Sequence, residues 1–122
     1  MMEQSIYVAI TGTQHYLGTT FLKPGQIIHL IKEPDNIHDQ EAIRAEMLPV
    51  GKIGYVTNSP TTVPKGCRSA GRIYDSFEHH ICAIVRFIVK DTVIVELAPS
   101  LEEMYIIKTM QDVSVSSRRK NG

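Results

Sequence analysis

Apolar and polar positions alternate with a period of two along most of this 122-residue chain, and the alternation fails in one internal segment. In "SIYVAITGT", Ile6, Val8 and Ile10 alternate with Tyr7 and Ala9, and the β-branched residues suit a pleated surface. That predicts a first strand. After the "KPG" turn at 23–25, "GQIIHLIKE" sets Ile28 and Leu30 on one face and Ile27, His29 and Ile31 on the other. Being apolar on both sides, it predicts a well-buried strand. "EAIRAEML" alternates Ile43, Ala45 and Met47 with Arg44 and Glu46, and "PVG" at 49–51 turns the chain into "KIGYVT", a hairpin. "HICAIVRFIV" pairs with "TVIVELA" through a tight turn at Lys90 and Asp91, a second hairpin.

Between them, Asn58, Ser59, Pro60, Pro64, Gly66 and Gly71 punctuate residues 57–77, and no period lasts. "NSPTTV" predicts at most one helical turn, with Asn58 or Ser59 as N-cap, Pro60 in the first turn and Pro64 as the stop. After Pro99, Ser100 and Glu103 form a capping box ahead of Leu101, Met104, Ile107 and Met110. A C-terminal helix is predicted, with an extension of the sheet by "MYIIKTM" as the alternative. The pattern as a whole predicts a mainly β fold with short helices: a small, mostly antiparallel barrel or curled sheet of about six strands. One domain is expected over 1–112, followed by a flexible basic tail, 113–122.

Composition narrows the function. Thirteen basic and thirteen acidic side chains cancel, so no overall field gathers polyanions, and any contact with nucleic acid depends on a local patch. The start "MMEQSIYVAI" lacks a basic region followed by an apolar one, and no apolar run is long enough to span a membrane, which predicts a cytoplasmic protein. Cys67 and Cys82 form no C-x-x-C pair and are expected to be reduced thiols. Signatures of phosphate-binding loops, dinucleotide sites, nucleophile elbows and zinc peptidases are absent. The five histidines show no H-x-H or H-x-x-x-H spacing, so no bound metal or cofactor is expected from local sequence.

The acid-rich stretch "KEPDNIHDQEAI" at 32–43 admits several chemistries. A calcium loop needs oxygen ligands at alternate positions and a central glycine, whereas Ile37 interrupts the ligands here and glycine is missing. A polar inter-strand loop, with Pro34 fixing φ and Asp35 and Asn36 in turn conformations, is one reading. A metal-dependent phosphodiesterase using Asp35, Asp39 and Glu41 is another.

Taken in order, "GTQHYLG" at 12–18, "EPDNIHDQEAI" at 33–43 and "GKIGYV" at 51–56 resemble the HIRAN domain family over roughly residues 5–98. The resemblance implies a modified oligonucleotide/oligosaccharide-binding barrel and a non-enzymatic DNA-binding module that recognises single-stranded 3′ ends or unusual DNA structures. Eukaryotic members hold the 3′-hydroxyl end of single-stranded DNA, which implies repair or processing of DNA and a protein partner such as a helicase or nuclease. By the same resemblance Tyr16 matches a stacking aromatic, and Asn36 and Asp39 match polar positions at which a carboxylate accepts the 3′-hydroxyl proton. His15 and His38 stand where DNA-binding members carry further aromatics, Gln14 where an arginine serves a phosphate, and Tyr55 where the eukaryotic pocket has a histidine. Lys65, Arg68 and Arg72, three cations without an intervening acid, supply a candidate basic patch. The alternative reading is a protein-interaction module on the same barrel.

Overall fold

The computed structural model describes residues 4–101. Six strands form in the order read from the sequence: β1 (Tyr7–Thr11), β2 (Ile27–Lys32), β3 (Ile43–Met47), β4 (Gly51–Val56), β5 (His80–Val89) and β6 (Thr92–Leu97). Their spatial order is β1-β4-β3-β2-β5-β6, and β6 pairs with β1 to close a barrel in which every neighbour is antiparallel. Closure leaves no long edge to cover.

Alternation decides what lies inside. Val8, Ile10, Ile28, Leu30, Ile43, Ala45, Ile53, Ile81, Ala83, Val85, Val93 and Val95 face the core and are almost fully buried. Each large aliphatic side chain among them contributes about 1.5–3 kcal/mol relative to exposure. Two register shifts, at Ala45/Glu46 against β4 and at Val85/Phe87 against β6, supply the local twist and curvature that six strands need to close. β1 approaches β4 most tightly at Gly54, where an added Cβ would lie 2.5 Å from Thr11 O and 2.9 Å from Ile10 Cγ2. Only glycine leaves room for that crossing.

The punctuated segment departs from expectation. "NSPTTV" forms turns rather than a helix, and the helical turn comes later, as α1 (Ala70–Ile73). Ser69 caps it by accepting the Arg72 amide at 3.2 Å, and Ala70 and Ile73 join the barrel core. Asn58 caps nothing of its own; its side chain is used across the fold instead. A 3₁₀ turn at Thr13–His15, not foreseen from the sequence, follows β1 and is pinned where the buried Thr13 hydroxyl donates to Asp91 O at 2.7 Å. The helix expected to run on from Leu101 and the tail at 113–122 lie outside the described residues. Among the described residues no helix is long and apolar enough to cross a membrane.

Candidate nucleic-acid interface

On the outer face of β3 and β4, Arg44 and Tyr55 are cross-strand partners, as are Glu46 and Lys52. The loop 33–42 delivers Glu33 to them. The Lys52 ammonium donates to Tyr55 Oη at 2.9 Å, and the Tyr55 hydroxyl lies 3.0 and 3.2 Å from the two oxygens of Glu33. Arg44 completes the group, with Nη1 3.5 Å from Glu33 Oε2 and Nε donating to Glu46 Oε1 at 3.0 Å. Lys52 Nζ also lies 5.8 Å from the centre of the Tyr16 ring and 5.0 Å from that of Tyr55. One ammonium therefore sits within cation–π range of two aromatic rings.

Titration follows from these contacts. Burial alone would push the Glu33 carboxyl up, but hydrogen bonds from Asn36 and Tyr55 and the charges of Lys52 and Arg44 outweigh it and hold it below its ordinary value. The hydrogen bond to Tyr55 is the main reason that the Lys52 ammonium holds its proton above the ordinary lysine value. Desolvation, reinforced by Glu33, raises Tyr55, so the phenol stays neutral and can donate. At neutral pH the group is one carboxylate, one ammonium and a neutral phenol, flanked by the Arg44–Glu46 pair.

Asn36 and Asp39 are committed chiefly to the loop. Asn36 Oδ1 accepts the amides of His38 at 2.9 Å and Asp39 at 3.1 Å, filling both lone pairs, while Nδ2 donates to Glu33 Oε1 at 3.0 Å. That bond couples the loop to the Tyr55 group and leaves Asn36 a single N–H. Asp39 Oδ1 accepts the Glu41 amide at 2.9 Å and Oδ2 accepts Asn58 Nδ2 at 3.0 Å. With about four acceptor sites, its carboxylate retains capacity for a further hydroxyl. Ala42 and Ile43, both buried, anchor the exit of the loop in β3.

Tyr16 and Tyr55 are thus brought together through Lys52, Asn36 joins them through Glu33, and Asp39 is linked to Asn36 by its backbone amide. Tyr16 is 40% exposed, which leaves a ring face for a ligand. Gln14 and His15 are exposed in the 3₁₀ turn just before Tyr16, and His38 is exposed beside Asp39. Lys65, Arg68 and Arg72 are also exposed, and their segment is tied to the loop where Asn58 Oδ1 accepts the Gly71 amide at 2.8 Å. Lys32, at the end of β2, is used elsewhere: its ammonium donates to Phe77 O and lies over the Tyr74 and Phe77 rings at 4.3 and 4.8 Å. Glu33, Arg44 and Asn58 were missed as site residues. Glu33 heads the "EPDN" motif, and that position was the one available signal.

The carboxylates of Asp35, Asp39 and Glu41 do not form a three-ligand cluster. Among the described residues such a grouping occurs only at His29, His80 and Cys82. Asp39 and Glu41 instead share the Asn58 amide, at 3.0 and 3.4 Å.

A search of curated proteins finds no match. Among solved structures, the crystal structure of the HIRAN domain of human HLTF aligns with a TM-score of 0.56 at 18% identity, covering 76% of this chain and 72% of that one. A protein from Lactobacillus plantarum aligns with a TM-score of 0.54 at 18% identity, covering 77% of this chain and 93% of that one. Both share the fold. The family model of the HIRAN domain matches residues 3–98, which takes in all six strands and both loops of the site. This chain belongs to the HIRAN domain family, which is known for DNA-binding domains.

Proposed function

We propose that the protein is a non-enzymatic DNA-binding module that engages single-stranded DNA at its 3′ end during repair or processing. The observation that carries this reading is the grouping of Tyr16, Lys52 and Tyr55, a partly exposed aromatic ring beside an ammonium at one edge of loop 33–42. Bases stack on aromatic faces whatever their identity, and an ammonium beside the stack meets the phosphate. Tyr16 stacks on the terminal base, with His15 and His38 as smaller flanking platforms and Gln14 as an uncharged donor to phosphate. The spare acceptor capacity of Asp39 takes the terminal hydroxyl, and its charge repels a 3′-phosphate. Asn36 positions the loop rather than the DNA, because its carbonyl oxygen is already filled. Lys65, Arg68 and Arg72 meet the backbone upstream of the end.

The test is a fluorescence-anisotropy titration with 3′-hydroxyl and 3′-phosphate oligonucleotides of one sequence at low salt. Preference for the hydroxyl end is expected; equal affinity, or none, removes the end-binding mechanism.

A second reading, a protein-interaction module, is favoured by Phe87 and Val89, alternate positions on β5 that are 56% and 57% exposed. A helicase or nuclease held through those residues while the Asp39→Asn variant behaves as wild type supports that reading instead.

A further inference from the structure

The outer face of the β2–β5 ladder carries a second cluster, on different strands from Tyr55 and Lys52. His29 and Cys82 are direct cross-strand partners, and His80, two residues before Cys82, shares their face. His29 Nδ1 lies 2.8 Å from His80 Nε2 and 3.9 Å from Cys82 Sγ, and all three ligand atoms fall within 4.8 Å of one another. The two rings lie 5.0 Å apart at 24°. His29 is 7% exposed and Cys82 fully buried, so thiol and imidazole meet largely out of water.

A tetrahedral zinc ion with ordinary Zn–N and Zn–S bonds spaces two nitrogens by about 3.3 Å and a nitrogen and a sulfur by about 3.6 Å. The two spacings from His29 Nδ1, 2.8 and 3.9 Å, each lie within about half an ångström of those values, and His80 Nε2 and Cys82 Sγ, at most 4.8 Å apart, close by up to about 1.2 Å through side-chain rotation. We infer that His29 Nδ1, His80 Nε2 and Cys82 Sγ form a transition-metal site suited to Zn²⁺, joining β2 to β5 outside the barrel core. Two imidazoles and a thiolate are a borderline-soft donor set, which selects zinc over magnesium or calcium. Three protein ligands leave a fourth position for water or another donor.

Binding requires two proton adjustments, both of which balance. The Cys82 thiol loses its proton to buffer as the thiolate coordinates, and the imidazole that donates in the His29–His80 hydrogen bond moves its N–H to its other ring nitrogen. Glu46, the partner of His29 on β3, adds a negative charge beside the dication. Local spacing offers only the His80-x-Cys82 pair, because His29 lies 51 and 53 positions away across the ladder.

The experiment titrates Zn²⁺ into the chelator-stripped full chain by calorimetry and, in parallel, Co²⁺ followed by absorption. One equivalent is expected to bind, with proton release and thiolate-to-cobalt charge transfer in the near ultraviolet. Cys82→Ala is expected to abolish the charge-transfer band and weaken affinity at least about 100-fold, since even outer-shell changes cost up to that much. Cys67→Ala is expected to bind as wild type. Absence of saturable one-to-one binding overturns the site, as does binding that survives Cys82→Ala. Should Cys82→Ala fail to fold by circular dichroism, the half-buried His80→Gln decides: loss of binding supports the site, and retention overturns it.

Discussion

Asn58 Nδ2 donates to Asp39 Oδ2 across 3.0 Å while Asn58 Oδ1 accepts the Gly71 amide at 2.8 Å, so one carboxamide clamps the acidic loop to α1. Removing it leaves two polar groups without their partner in a half-buried setting. Asn58→Ala is expected to lower stability by about 1–3 kcal/mol. Asn58→Asp keeps an acceptor for Gly71 but places a third carboxylate against Asp39 and Glu41, and should be worse than alanine at neutral pH. Urea unfolding of the three proteins at pH 7 and in mild acid checks this, because the penalty specific to aspartate shrinks as the carboxyls protonate.

Two glycines that look alike in sequence should respond differently to alanine. At Gly54 the new methyl meets backbone, Thr11 O at 2.5 Å, and neither strand can move without opening the β1–β4 seam. Gly54→Ala is expected to cost about 3 kcal/mol or more. At Gly71 the nearest atoms are Glu41 Oε1 at 2.7 Å, the far end of an exposed side chain that swings away, and Asn58 Oδ1 at 3.2 Å, which has to give by only a few tenths of an ångström. Gly71→Ala, inside a helical turn, should stay within about 1 kcal/mol of wild type. Thermal unfolding of both variants separates the two cases.

What the sequence disclosed follows from range. The strands were legible because alternation in Ile28/Leu30 or Ile43/Ala45/Met47 is a local property that burial then satisfied. The helical turn in 57–77 was misplaced because Asn58, Ser59 and Ser69 are all competent N-caps; tertiary contacts chose Ser69 when the Asn58 side chain went to Asp39 and Gly71. Asn36 and Asp39 were visible as residues, yet their commitment to amides at 38, 39 and 41 belongs to the loop conformation. Tyr16, Lys52 and Tyr55 meet only once the barrel has closed, and no spacing rule foretells that.

Acid should weaken the fold through Glu33. Its carboxyl is held below its ordinary value because contacts from Asn36, Tyr55, Lys52 and Arg44 outweigh burial. A group lowered on folding stabilises the folded state above its unfolded value, and the contribution fades as pH falls through the folded one. Urea midpoints should therefore drop as pH falls below about 5, with Glu33 contributing part of the slope. Glu33→Gln should be less stable than wild type at neutral pH and show a flatter acid limb. Parallel acid limbs in the two proteins would assign the slope to other carboxyls.

The DNA-binding reading makes separable demands on its residues. Tyr16 is partly exposed, so Tyr16→Ala should leave folding intact and reduce affinity for a 3′-hydroxyl oligonucleotide by roughly 5- to 150-fold, the worth of one stacked base. Tyr16→Phe keeps the ring and should bind as wild type. Asp39→Asn removes the charge that excludes a 3′-phosphate, so affinities for the two ends should converge. Lys52→Met should lower the magnitude of the salt slope by about 0.7, the value for one phosphate contact on a single strand. Replacing Lys65, Arg68 and Arg72 together with glutamine should lower it by up to about 2, while the preference for the hydroxyl end persists. If the triple variant keeps the wild-type slope, the basic segment does not meet the strand, and Lys52 is the main phosphate contact left.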